Sequence, residues 1–417
     1  MTGSAAAKQL ARRLLPSAGF AALAAYTVAR AALRFAYSDD FDLALGKWPP
    51  PAAWLWAQHN EHRLPLPKLL LAWCARHGDF RVGVGLSLAL MTGACAWLVA
   101  RVDREDRGVA VRVLVPAVLL CPASNAWHWD VELQFVACAA LFVVAFAAAL
   151  TAARARDAVV VALASISLPL TGGNGVVLSV ATVLASLALA RDGTRDRWAR
   201  AIFATGAAAT LAIDAAYLIG YHAPPQHEAL HAASLPQLGS VAAHLLVAPL
   251  GALAERAVVI AAPLGALAFA AAVVMIARAP RRFVFACFFA GSLALVAVIA
   301  AARAGRGWPP GLELHYAPLI APAYVVAVVA LAPLLAQRRV VALVACTGAV
   351  AMCLAYVPTA TPESRLRERA FIADCGRAPA DLLAARHLPL FYYVDTPAAR
   401  AVVARYLATL DCDAIRP

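Results

Sequence analysis

Asp39, Asp40 and Asp42 crowd the start of the stretch YSDDFDLALGKWPPPAAWLWAQHNEHRLPLPK (37–68), and Glu61, His62 and Arg63 lie near its end. A carboxylate at a membrane surface can act as general base on an acceptor hydroxyl, or can hold a divalent cation. Arg63 and His62 have the chemistry to hold a phosphate. The plainer reading is a solvated loop whose charges pair with one another. Only 14% of the chain is charged, so this density of ionisable groups favours chemistry.

Three further constellations offer related chemistry. Arg303 and Arg306, spaced by Gly305 and Gly307, lead to His315 and Tyr316 in RAGRGWPPGLELHY. Two arginines on a flexible backbone suit a phosphate or diphosphate, although arginines near span ends also snorkel without a ligand. Trp127 and Asp130 lie in NAWHWD, where a Trp can stack on a sugar ring or serve as an ordinary interfacial belt residue. His227-Glu228-Ala229-Leu230-His231 is a literal H-E-x-x-H. On a helix its two His could bind zinc, but it falls in a Pro- and His-rich loop rather than in a span. Asp40, Glu61, His227 and His231 are thus the candidate ligands for a divalent cation.

The elements that must position these groups are read from apolar length. The chain has 417 residues, 63% of them hydrophobic, and a mean hydropathy of +0.73. Soluble domains run at about 45–50% apolar and about 25% charged. An all-α integral membrane protein follows. Expected spans are 14–35, 82–100, 109–121, 131–153, 201–221, 257–277, 283–302, 317–336 and 340–357, with a short pair, 158–170 and 176–190, hinged at 171–174. That makes about 11 transmembrane helices. The run 238–253 reads as a surface or re-entrant helix, because a further span would carry Arg278, Arg281 and Arg282 outside. The first external loop is 36–80, with Trp48, Trp54 and Trp56 along the membrane surface. The membrane domain is 1–357, and 358–417 forms a small external segment.

Charge fixes the expected orientation. Arginine clusters at 101–112, 154–156, 191–200, 278–282 and 338–339, together with Lys8, Arg12 and Arg13, mark the cytoplasmic side. The N-terminus is then cytoplasmic and the C-terminus external, in a bacterial inner membrane. The net charge of +12 is explained by these turns and does not point to nucleic acid. Seven of the nine cysteines sit in or beside apolar runs as small packing residues. Cys375 and Cys412, in the external tail, could pair as a disulfide.

Asp39-Asp40 directly after the first span, Glu61-His62-Arg63 later in the same loop, and Arg303/Arg306 with His315-Tyr316 late in the chain form a pattern. It resembles the GT-C-type integral membrane glycosyltransferases, including a bacterial multispanning branch with a similar QHNEHR loop. The resemblance covers 1–357 and implies a GT-C-like fold. It also implies sugar transfer from a polyprenyl-phosphate donor to a glycan, lipid or protein acceptor of the cell envelope. Asp39 or Asp40 would then be the catalytic base. Glu61, His62, Arg63, Trp127, Asp130, Arg303, Arg306, His315 and Tyr316 would bind substrate, with or without a divalent cation. The competing expectations are a polytopic transporter or lipid flippase, and a non-catalytic assembly protein for envelope polysaccharide.

Overall fold

The computed structural model describes residues 3–32, 49–59, 62–77, 79–102, 108–122, 127, 132–152, 154–222, 233–304 and 312–357. The chain is built of α-helices, relieved among the described residues by one two-stranded hairpin. Helix α1 (Gly3–Ala31) is followed by a short helix α2 (Ala52–Trp56), strands β1 (Gln58–His59) and β2 (His62–Arg63), and helix α3 (Pro65–His77). The strands are antiparallel, with Gln58 opposite Arg63 and His59 opposite His62. The bundle continues with α4 (Arg81–Val102), α5 (Gly108–Leu119), α6 (Leu133–Thr151), α7 (Ala155–Ser167), α8 (Gly173–Arg191) and α9 (Arg197–Leu218). Next come α10 (Leu235–Val247), α11 (Ala252–Arg256), α12 (Val258–Arg278), α13 (Arg282–Arg303), α14 (Ala317–Gln337) and α15 (Arg339–Tyr356).

Eight of these helices, α4, α6, α8, α9 and α12 to α15, are long and apolar enough to cross a membrane. The protein is therefore a multi-pass membrane protein. The expected count of eleven needs three more. α5 and α7 have 12 and 13 residues and cover roughly 18–20 Å, against a hydrocarbon core of roughly 30 Å. α1 is longer, but it carries Pro16 within it and Arg30 in its last turn.

Helix α6 is the hub. It is apolar all round, as a fully enclosed helix must be, and nearly every residue from Leu133 to Leu150 is buried. It packs against α4, α7, α8, α13 and α14. Phe142 and Phe146 meet Phe288 of α13 at ring distances of 4.8 and 5.2 Å. Small residues bring other helices close, as is common where lipid gives no hydrophobic drive to association. A Cβ on Gly206 of α9 would come within 2.6 Å of Ala162 of α7, and one on Gly291 of α13 would strike Ala181 of α8.

The ends of the bundle differ. At the arginine end, Arg101 at the foot of α4 donates to Asp157 of α7 and to Thr151 of α6, both at 2.7 Å. Arg195 donates to the Ala152 carbonyl there. At the opposite end, called here the hairpin end, β1 and β2 meet the turn between α7 and α8 and the last turn of α9. The run expected at 238–253 lies within α10, a 3-10 turn over Ala248–Leu250, and α11. α10 opens with a capping box: Ser234 Oγ accepts from the Gln237 N–H, and Gln237 Oε1 accepts from the Ser234 N–H at 2.8 Å. Tyr356, in the last turn of α15, braces the following turn by donating to the Leu250 carbonyl (2.8 Å) and accepting from the Leu253 N–H (2.9 Å).

Candidate functional site

Two clusters of expected site residues stand at the hairpin end. The first is the hairpin itself. His62 Nδ1 accepts from the backbone N–H of Gly173, the first residue of α8, at 3.3 Å. With Nδ1 as acceptor, the imidazole hydrogen of neutral His62 resides on Nε2. Gly173 leaves just enough room, since a Cβ there would lie 3.1 Å from His62 Nδ1 and 3.3 Å from the Tyr217 hydroxyl. Gly172, with φ of +134°, makes the turn that presents this N–H.

Arg63 was expected to contact phosphate, and its geometry gives it another role. It is 8% exposed. Its Nη1 donates to the Trp56 carbonyl at 3.2 Å and its Nη2 to the Ile219 carbonyl at 2.7 Å. Its backbone N–H donates to the Tyr217 hydroxyl at 2.9 Å. The guanidinium thus ties α2 and the hairpin to the end of α9. Lys68 does similar work one step away, donating to the Trp54 and Ala57 carbonyls at 3.0 and 2.6 Å. Burial, and secondarily the charge of Arg63, lower the Lys68 ammonium to about 8. Two cations therefore cap the carbonyl end of α2, each with its charge near a Trp ring, Arg63 over Trp56 and Lys68 over Trp54.

The second cluster joins α13, α14 and α6. Arg303, the last residue of α13, donates from Nε to the Tyr316 hydroxyl at 2.7 Å. Its guanidinium carbon sits 5.7 Å from the centre of the same ring. His315 stacks on Phe135 with ring centres 5.7 Å apart and planes 18° from parallel. Phe135 also meets Tyr316 at 5.6 Å. Arg303, His315 and Tyr316, grouped in the sequence, are thus grouped in space, and they gather on the first turn of α6.

That first turn supplies what sequence reading passed over. Glu132, immediately before α6, is fully buried. The N-terminal end of a helix favours a negative charge, so a carboxylate suits this position at the hairpin end. An acidic residue at the edge of an otherwise apolar run was the available signal. Tyr217, which holds the hairpin, carried no signal of its own, whereas Gly173 falls in the hinge expected at 171–174.

Trp127 lies inside the bundle. Its ring is 1% exposed and its indole N–H donates to the Cys121 carbonyl at 2.7 Å. It lines a cavity of about 10 Å³ with residues that include Met91, Leu119, Pro249 and Pro318, and so packs against the bundle. Asp39, Asp40, Glu61, Asp130, Arg306, His227 and His231 lie outside the described residues, as do Cys375, Cys412 and the segment 358–417. Among the described residues no group of three or more His, Cys, Asp or Glu side chains is placed to hold a metal ion. No family model, no curated protein and no solved structure matches the chain.

Proposed function

We propose that this protein is a membrane glycosyltransferase that moves a sugar from a polyprenyl-phosphate donor to an envelope glycan, lipid or protein on the external face. The observation that carries the reading is the gathering of Arg303, His315 and Tyr316 on the Glu132–Phe135 turn of α6, at the end of the bundle that also bears His62. The segments that flank the acidic stretch 33–48 run to that end too, since α1 packs along α4 and α2 is bonded to α3. A cation there can stabilise a departing lipid phosphate while a carboxylate of the first loop, Asp39 or Asp40, takes the acceptor proton as the hydroxyl attacks the anomeric carbon. The net step is an inverting displacement: one C–O bond forms, the bond to phosphate breaks, and the proton goes to the carboxylate. The external placement of this end rests on the arginines at the other.

Transfer assayed with purified protein and a radiolabelled polyprenyl-phosphate sugar tests the reading. Asp39→Asn or Asp40→Asn should cost about 10²–10⁴-fold in rate, and Arg303→Ala should lower kcat/KM about 10²-fold or more, with unfolding midpoints unchanged for the Asp variants. Full activity in both single Asp variants and in the double variant would sink the assignment.

A transporter reading has one observation in its favour. Asp214 is the sole acidic residue within the eight long apolar helices. It is buried in α9 with Ser179 Oγ of α8 at 2.7 Å from its Oδ2. Ionisable groups inside spans mark transport pathways. Asp214→Asn should leave sugar transfer intact in an enzyme and abolish flux in a carrier.

A further inference from the structure

Cys121 and Cys353 are far apart in sequence, but the fold brings them together. Cys353 lies in the last turns of α15, and its thiol donates to the carbonyl of Ala117 in α5 at 3.6 Å. Cys121 follows α5 one helical turn beyond Ala117, the residue whose carbonyl the Cys353 thiol meets, and both cysteines are free thiols in the structure. Both are buried, at 4% and 2% exposure. Tyr356, three residues beyond Cys353, is the residue that braces the 250–253 turn. All of this sits at the hairpin end, remote from the arginine end where a cytoplasmic reducing pool would act.

We infer that Cys121 and Cys353 are a modification site, oxidised to a disulfide that fastens the end of α15 to the end of α5. The inference rests on the orientation adopted above, and not on sugar transfer. Disulfides persist on the non-cytoplasmic side of a membrane and are rare on the other. The chemistry is thiol–disulfide exchange with an oxidised dithiol oxidoreductase. One thiolate attacks the oxidant's disulfide to give a mixed disulfide. The second thiolate displaces the oxidant as its reduced dithiol, so two protons and two electrons leave the pair. Burial of both sulfurs places the exchange before the helices close, during insertion and folding. Once formed, the bond would hold α15 to α5 and, through Tyr356, steady the turn between α10 and α12.

The test is made on the full chain extracted from its own membranes, with thiols blocked by N-ethylmaleimide on lysis, followed by protease digestion and mass spectrometry. A peptide pair joined through Cys121 and Cys353, lost on reduction, is the expected result. Cys121→Ser should convert Cys353 from protected to fully alkylated. In parallel, Ile219→Cys, at an exposed position of the hairpin end, is probed on intact cells with an impermeant maleimide. If Ile219→Cys labels from outside and both native thiols are alkylated without reductant, the disulfide is overturned and the orientation stands. If Ile219→Cys labels only after the membrane is opened, the orientation fails and takes the disulfide with it.

Discussion

Arg63 holds three parts of the chain with one side chain, and this decides what its charge is for. Its two Nη groups reach the carbonyls of Trp56 and Ile219, and its own backbone N–H reaches Tyr217. A charge-assisted hydrogen bond contributes roughly 1.5–3 kcal/mol, and a buried carbonyl that loses its donor keeps the desolvation cost. Arg63→Met, of similar length and with no donor, should therefore lower the unfolding free energy in detergent by about 2–5 kcal/mol. Arg63→Lys should recover only part, because an ammonium is a point donor and cannot reproduce the planar fork. The measurement is chemical unfolding followed by Trp fluorescence. A change in Arg63→Met below about 0.5 kcal/mol, the range of ordinary surface substitutions, would mean that the anchor is dispensable and would return Arg63 to the ligand-binding candidates.

At the scale of elements, the hairpin is positioned by the turn it leans on. Gly172 links the 3-10 turn at Leu168–Thr171 to α8 with φ of +134°, a conformation that L side chains rarely adopt. A Cβ at this position would also lie 2.8 Å from Leu64 Cδ2. Gly172→Ala should thus be strained twice, by backbone and by contact, at a cost of about 1–3 kcal/mol for the backbone conformation alone. The pair Gly172→Ala/Leu64→Ala separates the two causes. Removing the Leu64 side chain should relieve the contact and leave the φ strain, so the double variant should lose less than the sum of the singles. Unfolding midpoints of the four proteins supply the test, and strict additivity would show that Leu64 does not press on the turn. The hinge itself was legible in the sequence as a glycine cluster between two short apolar runs. The hairpin was not, because two-residue strands show no periodicity to detect.

At the scale of the whole molecule, composition and apolar length were enough to give a helical multi-pass membrane protein, and charge gave an expectation of which end faces the cytoplasm. Arg101, Asp157 and Arg195 do meet at one end, while Arg303, His62 and Tyr217 stand at the other. What sequence could not supply was partnership. Arg63 and Trp127 read as ligand contacts because a charge and an aromatic ring announce themselves, whereas the backbone carbonyls that claim them leave no trace in residue type. Arg303, His315 and Tyr316 were legible because only a short connection separates them. The two-ended sorting makes a prediction that concerns every helix at once. Thr194, in the turn before α9, and Ile219, just past its end, should lie on opposite sides of the membrane. With an impermeant maleimide on intact cells, Ile219→Cys should label at once and Thr194→Cys only after the membrane is opened. α9 has 22 residues, roughly 33 Å of helix, enough for one crossing of a core roughly 30 Å thick. Labelling of both positions from the same side would remove that crossing, and the grouping of His62 with Arg303 on one face could not survive it.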